Sequence, residues 1–257
     1  MQIFVAKAVE MELPTKSALT STLFSNCIAA KDILEQANGF SIQHKGQDHS
    51  QERSAIVCGT EQRGFGKRMT RKSTPNVVWH AGHVCAAERA ALLGQKPFTV
   101  WLTGLSAAGK STLAFALERE WHGRGRACYV LDGDNVRHGL NRNLGFSATD
   151  RSENIRRIAE VARLMNDAGL IVISAFISPW RADRAVARQI IGEESFVEVH
   201  VSTPLAVCEA RDPKGFYGQA RRGELVEFTG VSSPYEAPER ADLSIDTAQL
   251  SLADAVG

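Results

Sequence analysis

The residues best suited to chemistry lie in a short loop bounded by glycines. Gly104, Gly109, Lys110 and Ser111 complete the spacing Gly-x-x-x-x-Gly-Lys-Ser directly after the apolar run Phe98–Thr103. Because a polyphosphate carries several negative charges, its loop must turn backbone N–H groups inward, and glycine allows that close approach. Lys110 can then reach the β- and γ-phosphates, and the Ser111 hydroxyl can ligate Mg²⁺. The spacing therefore predicts a P-loop that binds a nucleoside triphosphate.

Two carboxylates follow the next predicted strand, Arg126–Leu131. We expect Asp132 and Asp134 at the same sheet edge as the loop, because ligands of parallel sheets bind beyond the carboxyl ends of the strands. They could organise Mg²⁺ and accept the proton of an attacking hydroxyl. The alternative interpretation is a pair of aspartates that only forms a turn. Arg137 and Arg151 follow and favour a ligand with planar, multi-oxygen anionic groups.

A third strand end adds a hydroxyl and a guanidinium. The run Leu170–Ile177 is almost continuously apolar, which is typical of a parallel strand buried on both faces. Ser178 and Arg181 follow it, so we expect both of them near the phosphates. Residues 211–234 are rich in charge and glycine and predict a mobile lid that excludes water during transfer.

Strands and helices alternate from residue 86 onward. The predicted strands are 98–103, 126–131, 170–177, 196–201 and 243–245. The predicted helices are 86–93, 109–122, 150–168, 181–191 and 204–210, with Asp150 and Glu153 as the capping pair of the third. This alternation predicts an α/β protein with the three-layer P-loop kinase fold, in which a parallel sheet carries helices on both faces.

Composition and charge argue against several classes of partner. The 30 Lys and Arg residues nearly balance the 29 Asp and Glu residues, and a net charge of +1 gives no support for a nucleic-acid or membrane partner. No apolar stretch of the sequence approaches the ~18 residues of a membrane span. The five cysteines are scattered without a C-x-x-C pair, which favours reduced thiols and a cytoplasmic location.

Residues 1–73 differ in character from residues 74–257. The first segment is polar and shows little helical or strand periodicity, so it is predicted to be a disordered extension. The second is predicted to be one P-loop domain, and its end at Gly257 predicts that most of a closing C-terminal helix is missing.

Several longer motifs resemble those of adenylylsulfate (APS) kinases. They are Leu131–Asn141, Gly145–Ser147, Asp150–Arg157, Ile177–Arg181, Cys208–Gly215, Glu227–Gly230 and Pro234–Pro238. The segment Asn76–His80 is also similar to the usual start of that domain. The resemblance extends over residues 75–247.

The resemblance implies an enzyme of sulfate assimilation. Such an enzyme phosphorylates the 3′-hydroxyl of adenosine 5′-phosphosulfate (APS) with ATP, giving 3′-phosphoadenosine 5′-phosphosulfate (PAPS) and ADP. It implies that ATP and Mg²⁺ are bound by Gly104, Leu105, Ser106, Ala107, Ala108, Gly109, Lys110, Ser111 and Thr112, with Ser111 as the metal ligand. It implies that APS is bound by Asp134, Arg137, Phe146, Arg151, Asn154, Ile177, Ser178, Lys214 and Phe228, with Phe146 and Phe228 on either side of the adenine. The catalytic residues implied are Lys110, Asp132, Asp134 and Ser178.

Ser178 stands at the position described in the family as a phosphoserine intermediate. Physical reasoning favours direct transfer, because a loose phosphoryl-transfer transition state mainly needs alignment and charge neutralisation. Two stretches depart from the family pattern. Ala107 and Ala108 replace the usual P-loop residues, and Ala107 would be strained if its φ must be positive. Gly218 and Gln219 stand where the lid commonly carries lysines.

The expected partners are the small molecules ATP and APS, a second copy of the chain in a homodimer, and an ATP sulfurylase. Two other functions stay open on the sequence. One is another small-molecule P-loop kinase that acts on a hydroxyl of a sugar or nucleotide. The other is a regulatory nucleotide-binding module of the GTPase type, which should carry an Asn-Lys-x-Asp motif that this sequence lacks.

Overall fold

The computed structural model describes residues 76–256. The predicted extension at 1–73 lies outside the described residues. The elements, in chain order, are α1 (Ala86–Leu93), β1 (Thr99–Thr103), α2 (Lys110–Gly123), β2 (Cys128–Asp132), a 3₁₀ turn (Asn135–His138), α3 (Ala148–Asp167), β3 (Ile171–Ala175), α4 (Arg181–Ile191), a second 3₁₀ turn (Glu193–Ser195), β4 (Phe196–Val201), α5 (Leu205–Arg211), α6 (Phe216–Arg221), β5 (Leu243–Ile245) and α7 (Leu252–Val256).

The strands form one parallel sheet in the order β2-β3-β1-β4-β5. Strand β1, which leads into the predicted P-loop, lies in the middle of the sheet between β3 and β4. The carboxyl ends of β1, β2 and β3 therefore meet at one edge, and the three groups of predicted site residues follow those ends. The predicted α/β class and the parallel sheet are confirmed.

Helices cover the central strands on both faces. Every residue of β1 and β3 is buried, as expected for strands inside a parallel sheet. Trp101 packs with Ile158 of α3 and Ala187 of α4 in one cluster. Val100 and Leu102 point to the opposite face because side chains alternate along a strand. Leu113 and Leu117, on the buried side of α2, lie in the core beside these strands.

The N-terminus of α3 differs from its prediction. The helix begins at Ala148, and its cap is Ser147, whose hydroxyl accepts a hydrogen bond from the backbone N–H of Asp150 at 3.2 Å. Glu153 instead binds Arg156 and Arg157, at 2.7 and 2.9 Å. The predicted capping pair Asp150–Glu153 is therefore wrong, because an earlier serine is available as a cap and two arginines occupy the glutamate.

The segment predicted as a lid contains a short helix, α6, within residues 211–234. Its Tyr217 and Ala220 are buried. Among residues 76–256, no helix is both long and apolar enough to span a membrane.

Candidate active site

The P-loop connects β1 to α2 and has the backbone that the glycine spacing predicts. Gly104 has φ 153°, and a Cβ there would lie 2.5 Å from the backbone oxygen of Val201. Gly109 has φ 100° and is the last residue before α2, so the N-terminus of the helix faces the loop. Both glycines are therefore required by geometry, and the helix dipole favours an anion at this place.

Ala107 also has a positive φ, 59°, in the left-handed region that favours glycine. The predicted strain at this departure from the family pattern is present in the structure. Its neighbour Ala108 is fully buried, and its carbonyl accepts hydrogen bonds from Thr203 at 3.0 Å and Thr247 at 2.8 Å. The loop is thus anchored from outside by two threonines on other segments.

Lys110 begins α2 and is only 8% exposed. Its ammonium donates to the backbone oxygen of Leu105 at 2.6 Å, so it folds back over the loop. Burial lowers the pKa of Lys110 to about 8, and the neighbouring Cys208, Asp132 and Asp134 oppose that effect. The lysine is a largely desolvated cation at the place where the terminal phosphates of a nucleotide would lie.

Oxygen ligands for a hard cation lie beside this lysine. The Ser111 hydroxyl donates to Asp132 Oδ2 at 2.7 Å, so one hydroxyl and one carboxylate are adjacent. Asp132 Oδ1 accepts from the backbone N–H groups of Asp134 and Asn135, at 3.0 and 3.3 Å, which fixes the carboxylate. This donor set suits Mg²⁺, which needs only one or two protein ligands besides phosphate and water. The described residues hold no cluster of three or more His, Cys, Asp or Glu side chains that could bind a metal by themselves.

Asp134 lies between the P-loop and the predicted acceptor side. It is paired with Lys214, from the predicted lid segment. Its charge acts on Lys110, and it also opposes the lowering by burial of the pKa of Arg137. The backbone carbonyl of Asp134 accepts from the N–H of Arg137 at 3.0 Å, and its own N–H donates to Asp132, which binds Ser111. The P-loop, the turn after β2 and the segment that carries Lys214 are therefore connected through this aspartate.

The two predicted anion-binding arginines bind backbone rather than carboxylate oxygens. Arg137 donates to the carbonyls of Leu144 and Gly145, at 3.0 and 2.9 Å. Arg151 donates to the carbonyls of Phe146 and Glu227 and to Thr229 Oγ1. Burial lowers the pKa of both guanidinium groups. Within residues 76–256, neither arginine forms an ion pair with a carboxylate; Asp134 and Asp150 act on Arg137, and Glu227 acts on Arg151, only from beyond ion-pair distance.

The two predicted phenylalanines lie on segments that Arg151 joins. Phe146 is 66% exposed, and the Arg137 guanidinium lies over its ring at 4.4 Å from the centroid. Phe228 contacts the ring of Tyr217 edge-on at 5.0 Å. Arg151 binds the backbone of Phe146 and of the residue before Phe228. An exposed face on Phe146 leaves room for a stacked base.

Asn154 lies below this surface rather than in it. It is buried on α3, and its Oδ1 accepts from Asn141 Nδ2 at 2.8 Å.

Thr112 lies in the first turn of α2 and is exposed, as is Ser111.

Ser178 ends the third strand–loop connection, and its backbone is unusual. The predicted strand 170–177 ends earlier, at Ala175, and Ser178 has φ 39°, positive for a non-glycine residue. The side chain is 2% exposed, and its hydroxyl accepts a hydrogen bond from the indole N–H of Trp101 at 3.2 Å. The carbonyl of the preceding Ile177 accepts from Thr103 Oγ1 at 2.8 Å.

The Arg181 guanidinium, which was expected near the phosphates together with Ser178, is bonded elsewhere. Arg181 points away and binds Glu239 at 2.7 Å and the carbonyl of Ala237 at 2.8 Å. Arg184, one helical turn later, donates to the carbonyl of Ser178 at 2.6 Å. Tyr217 was also missed, although its hydroxyl donates to the P-loop carbonyl of Ser106 at 3.0 Å. Helical spacing places Arg181 and Arg184 on one face, which was the available signal for Arg184.

Comparison with known proteins supports the same reading. The family model described as adenylylsulphate kinase matches residues 96–246. An adenylyl-sulfate kinase of Shewanella sp. strain MR-7 is 61% identical over 181 residues, which cover 70% of this chain and 88% of that protein. A Klebsiella pneumoniae adenylyl-sulfate kinase is 59% identical over 175 residues, with coverage of 68% and 87%.

The fold of this chain is also similar to that of a solved structure. The Mycobacterium tuberculosis APS kinase, determined in complex with AMPPNP and APS, is 47% identical to this chain and superposes with a TM-score of 0.61. The match covers 63% of this chain and 94% of that one. The part of the chain that is similar to these proteins is the part that carries the P-loop and the residues around Asp134 and Ser178.

Proposed function

The chain belongs to the adenylylsulphate kinase family, and from that premise we propose which of its residues carry out the reaction. The enzyme phosphorylates the 3′-hydroxyl of APS with ATP, which gives PAPS and ADP and forms part of sulfate assimilation. This activity removes the two alternatives left open by the sequence, another small-molecule kinase and a regulatory module.

On the donor side, we assign ATP to the P-loop from Gly104 to Thr112. The inward-facing backbone of the loop, the N-terminus of α2 and the desolvated ammonium of Lys110 support this assignment. Ser111 and Asp132 would hold Mg²⁺, which in such enzymes neutralises the charge that develops on the transferred phosphoryl group. We also propose that the reaction depends on this metal ion, and the adjacent Ser111 hydroxyl and Asp132 carboxylate support that proposal.

On the acceptor side, we assign APS to the surface formed by Arg137, Arg151, Phe146 and Phe228. The two guanidinium groups, which form no direct ion pair within residues 76–256, suit the phosphosulfate, and the exposed ring of Phe146 suits the adenine. Lys214 would contribute a further positive charge from the lid, and Ile177 and Ser178 would form the wall of the site through their backbone. Asn154, which is buried beneath this surface, would support it through its hydrogen bond with Asn141.

The proton of the 3′-hydroxyl goes to Asp134 in this proposal, and the hydroxyl oxygen attacks the γ-phosphorus of ATP directly. Asp134 is exposed and at present paired with Lys214, so Lys214 must turn toward the anionic substrates as they bind. The hydroxyl of Ser178 is buried against Trp101, which supports direct transfer rather than a phosphoserine intermediate. In this scheme Ser178 forms part of the wall of the site through its backbone, and its hydroxyl does not react.

One observation carries the assignment: the backbone N–H of Asp134 donates to Asp132, the partner of the P-loop residue Ser111, and its backbone carbonyl accepts from the N–H of Arg137 on the proposed acceptor side, at 3.0 Å in each case. A general base has to lie between donor and acceptor, since it must reach the attacking hydroxyl. Asp134 meets that requirement, while Asp132 is committed to Ser111 and to two backbone N–H groups.

The direct test is an acceptor screen. The purified protein, with ATP and Mg²⁺, is offered APS, and in parallel gluconate, shikimate and AMP. ADP release is expected with APS alone. ADP release that never depends on APS, from a protein that is folded by circular dichroism, would overturn the assignment.

The Asp134→Asn substitution tests the general base separately from nucleotide binding. We expect a loss of about 100-fold in kcat, because general-base catalysis typically contributes about 10²–10⁴-fold, and nearly unchanged ATP affinity by calorimetry. Asp254→Asn, which alters an exposed carboxylate bonded to Ser251, is the matched control and should leave kcat unchanged. An Asp134→Asn enzyme with the full rate would exclude the general-base role.

We also make proposals on the cellular location of the enzyme and on its assembly with other chains. We place the enzyme in the cytoplasm, since Cys85, Cys128 and Cys208 are free thiols in the part of the chain that the structure describes. A homodimer and an ATP sulfurylase partner are supported by the family membership. Light scattering of the protein alone and mixed with an ATP sulfurylase tests both.

A further inference from the structure

The backbone at Ser178 is held by a buried set of hydrogen bonds that the reaction scheme above does not use. Its hydroxyl accepts from Trp101, and its carbonyl accepts from Arg184 Nη1 at 2.6 Å and from Thr103 Oγ1 at 3.4 Å. A non-glycine residue with positive φ persists only where its surroundings determine it strongly, and such residues cluster at functional sites. Ser178 meets that description.

Arg184 is the centre of this set. It is 3% exposed, and its three nitrogens bind three different segments. Nη1 binds the carbonyl of Ser178, Nε binds Glu198 Oε1 of β4 at 2.7 Å, and Nη2 binds the carbonyl of Glu236 at 2.7 Å. The guanidinium fork thus joins the end of β3, a neighbouring strand and the chain that follows the lid.

The chain at 235–236 is joined to the same turn by further bonds. Tyr235 Oη lies 3.0 Å from Thr103 Oγ1, and the backbone N–H of Glu236 donates to the carbonyl of Pro179 at 2.9 Å. This segment follows Glu227 and Thr229 by six to nine residues, and Arg151 of the proposed acceptor side donates to both of them. The position of Ser178 is therefore coupled to the chain that carries the acceptor-side residues.

Stability alone does not account for this arrangement. A buried ion pair such as Arg184–Glu198 is weak evidence for stability, because desolvation of both charges offsets much of their attraction. Two of the three Arg184 bonds go to carbonyls at the site and beside it, where a guanidinium holds two acceptors at a fixed angle and spacing. That geometry suits a positioning role.

We propose that Arg184 is a positioning residue for phosphoryl transfer, which holds the Ile177–Ser178 turn and the Tyr235–Glu236 segment in register so that donor and acceptor are aligned. The proposal rests on the proposed function, since it assigns Arg184 a part in that reaction. Arg184 does not contact either substrate in this scheme. Its effect is exerted through the two backbone segments.

The test compares Arg184→Lys with Arg188→Lys. The first keeps the positive charge beside Glu198 but replaces the three separate nitrogens of the guanidinium with one ammonium, which cannot reproduce the fork geometry of the three bonds. The second alters an arginine on the same helix that also approaches Glu198, at 3.8 Å, and does not bind Ser178. We expect Arg184→Lys to lower kcat on the order of 100-fold, the scale of a misplaced reacting group, with ATP affinity and KM for ATP unchanged. Arg188→Lys should leave kcat unchanged.

A second variant uses chemical rescue. Arg184→Ala leaves a space that guanidinium ion can occupy, so millimolar guanidinium chloride should restore part of kcat while an equal concentration of sodium chloride should not. If Arg184→Ala does not fold, Tyr235→Phe takes its place, because it removes only the bond to Thr103 and should lower kcat without changing ATP affinity.

The outcomes separate the two proposals. If the wild-type enzyme does not phosphorylate APS, the proposed function fails. If the wild type is active and the folded Arg184→Lys enzyme has the same kcat, or if Arg184→Lys and Arg188→Lys lose only thermal stability and to the same extent, the positioning role of Arg184 is overturned.

Discussion

At the scale of single residues, the P-loop contains two residues in states that cost free energy: Lys110, whose ammonium is buried, and Ala107, whose backbone is left-handed. Neither cost is compensated by an obvious packing gain. Both residues lie in the P-loop, where bound phosphates would interact with the ammonium and with the backbone N–H groups. Each of them leads to a measurable expectation.

Burial lowers the pKa of Lys110 from 10.5 to about 8. Above that pH the free enzyme holds a neutral amine, while bound phosphates favour the ammonium, so nucleotide binding must take up a proton. We expect no uptake near neutral pH, and at about pH 9 an affinity that falls by up to about tenfold per pH unit. Calorimetry in buffers of different ionisation enthalpy measures the uptake.

The nearby Cys208 thiol is a second titratable group, and burial raises its pKa above the ordinary value. Cys208→Ser is therefore the control, and it should keep the proton uptake. Absence of uptake at alkaline pH in both proteins would contradict the assignment to Lys110. The same shift affects folding: because the unfolded chain binds the proton more tightly between the two pKa values, the contribution of Lys110 to the free energy of unfolding rises with pH in that range.

Ala107→Gly should stabilise the protein. Relief of the left-handed conformation is worth about 1–2 kcal/mol, while the greater freedom of glycine in the unfolded chain costs about 0.4–1 kcal/mol. We expect a net gain of up to about 1 kcal/mol, which corresponds to a rise in Tm of about 2–4 °C for a domain of this size. Ala108→Gly is the matched control. Ala108 has no positive φ, so glycine there should lower Tm.

At the scale of elements, helix α6 joins the donor and acceptor sides. Tyr217 donates to the carbonyl of Ser106 in the P-loop, and its ring contacts Phe228 edge-on. A helix of six residues has little stability of its own. Its position must therefore come from these contacts and from its buried face.

Tyr217→Phe removes the hydroxyl and keeps the ring. We expect weaker coupling between the substrates, seen as a loss of any dependence of the APS affinity on bound nucleotide, with circular dichroism unchanged. Titration of APS analogue binding with and without a non-hydrolysable ATP analogue measures the coupling. Equal coupling in the wild type and the variant would show that the hydroxyl does not link the two sites.

At the scale of the whole molecule, every residue assigned to the site lies between Gly104 and Phe228, inside the described part of the chain. The sheet brings the carboxyl ends of β1, β2 and β3 together, and the site forms at that edge. Residues 1–73 contribute no assigned side chain.

We therefore expect a chain that begins at residue 74 to keep the kcat and both KM values of the full chain. The measurement is steady-state kinetics of the two proteins at equal concentration. A loss of activity on removal of residues 1–73, with the secondary structure retained, would show that this segment takes part in binding, catalysis or assembly.

The sequence by itself determined the donor half of the site. The spacing Gly104 to Ser111 is local, so its glycines, its lysine and the strand and helix on either side could be predicted from neighbouring residues. Asp132 and Asp134 could be predicted for the same reason, as residues that end a strand. The bounds of helix Arg181–Ile191 and strand Phe196–Val201 were also correct, because hydrophobic periodicity is a local signal.

Only the tertiary structure decided how the third strand end is supported. Ser178 is held by Trp101, Arg184 and, through that arginine, Glu198 and Glu236, which come from four separate stretches of the chain. Arg181 is nearer to Ser178 in sequence, yet its guanidinium binds Glu239 and the carbonyl of Ala237. Contacts between distant residues depend on how the sheet and helices pack. Helical spacing relates Arg184 to Arg181, but no spacing in the sequence records which of them binds Ser178, so that choice became visible only in the folded chain.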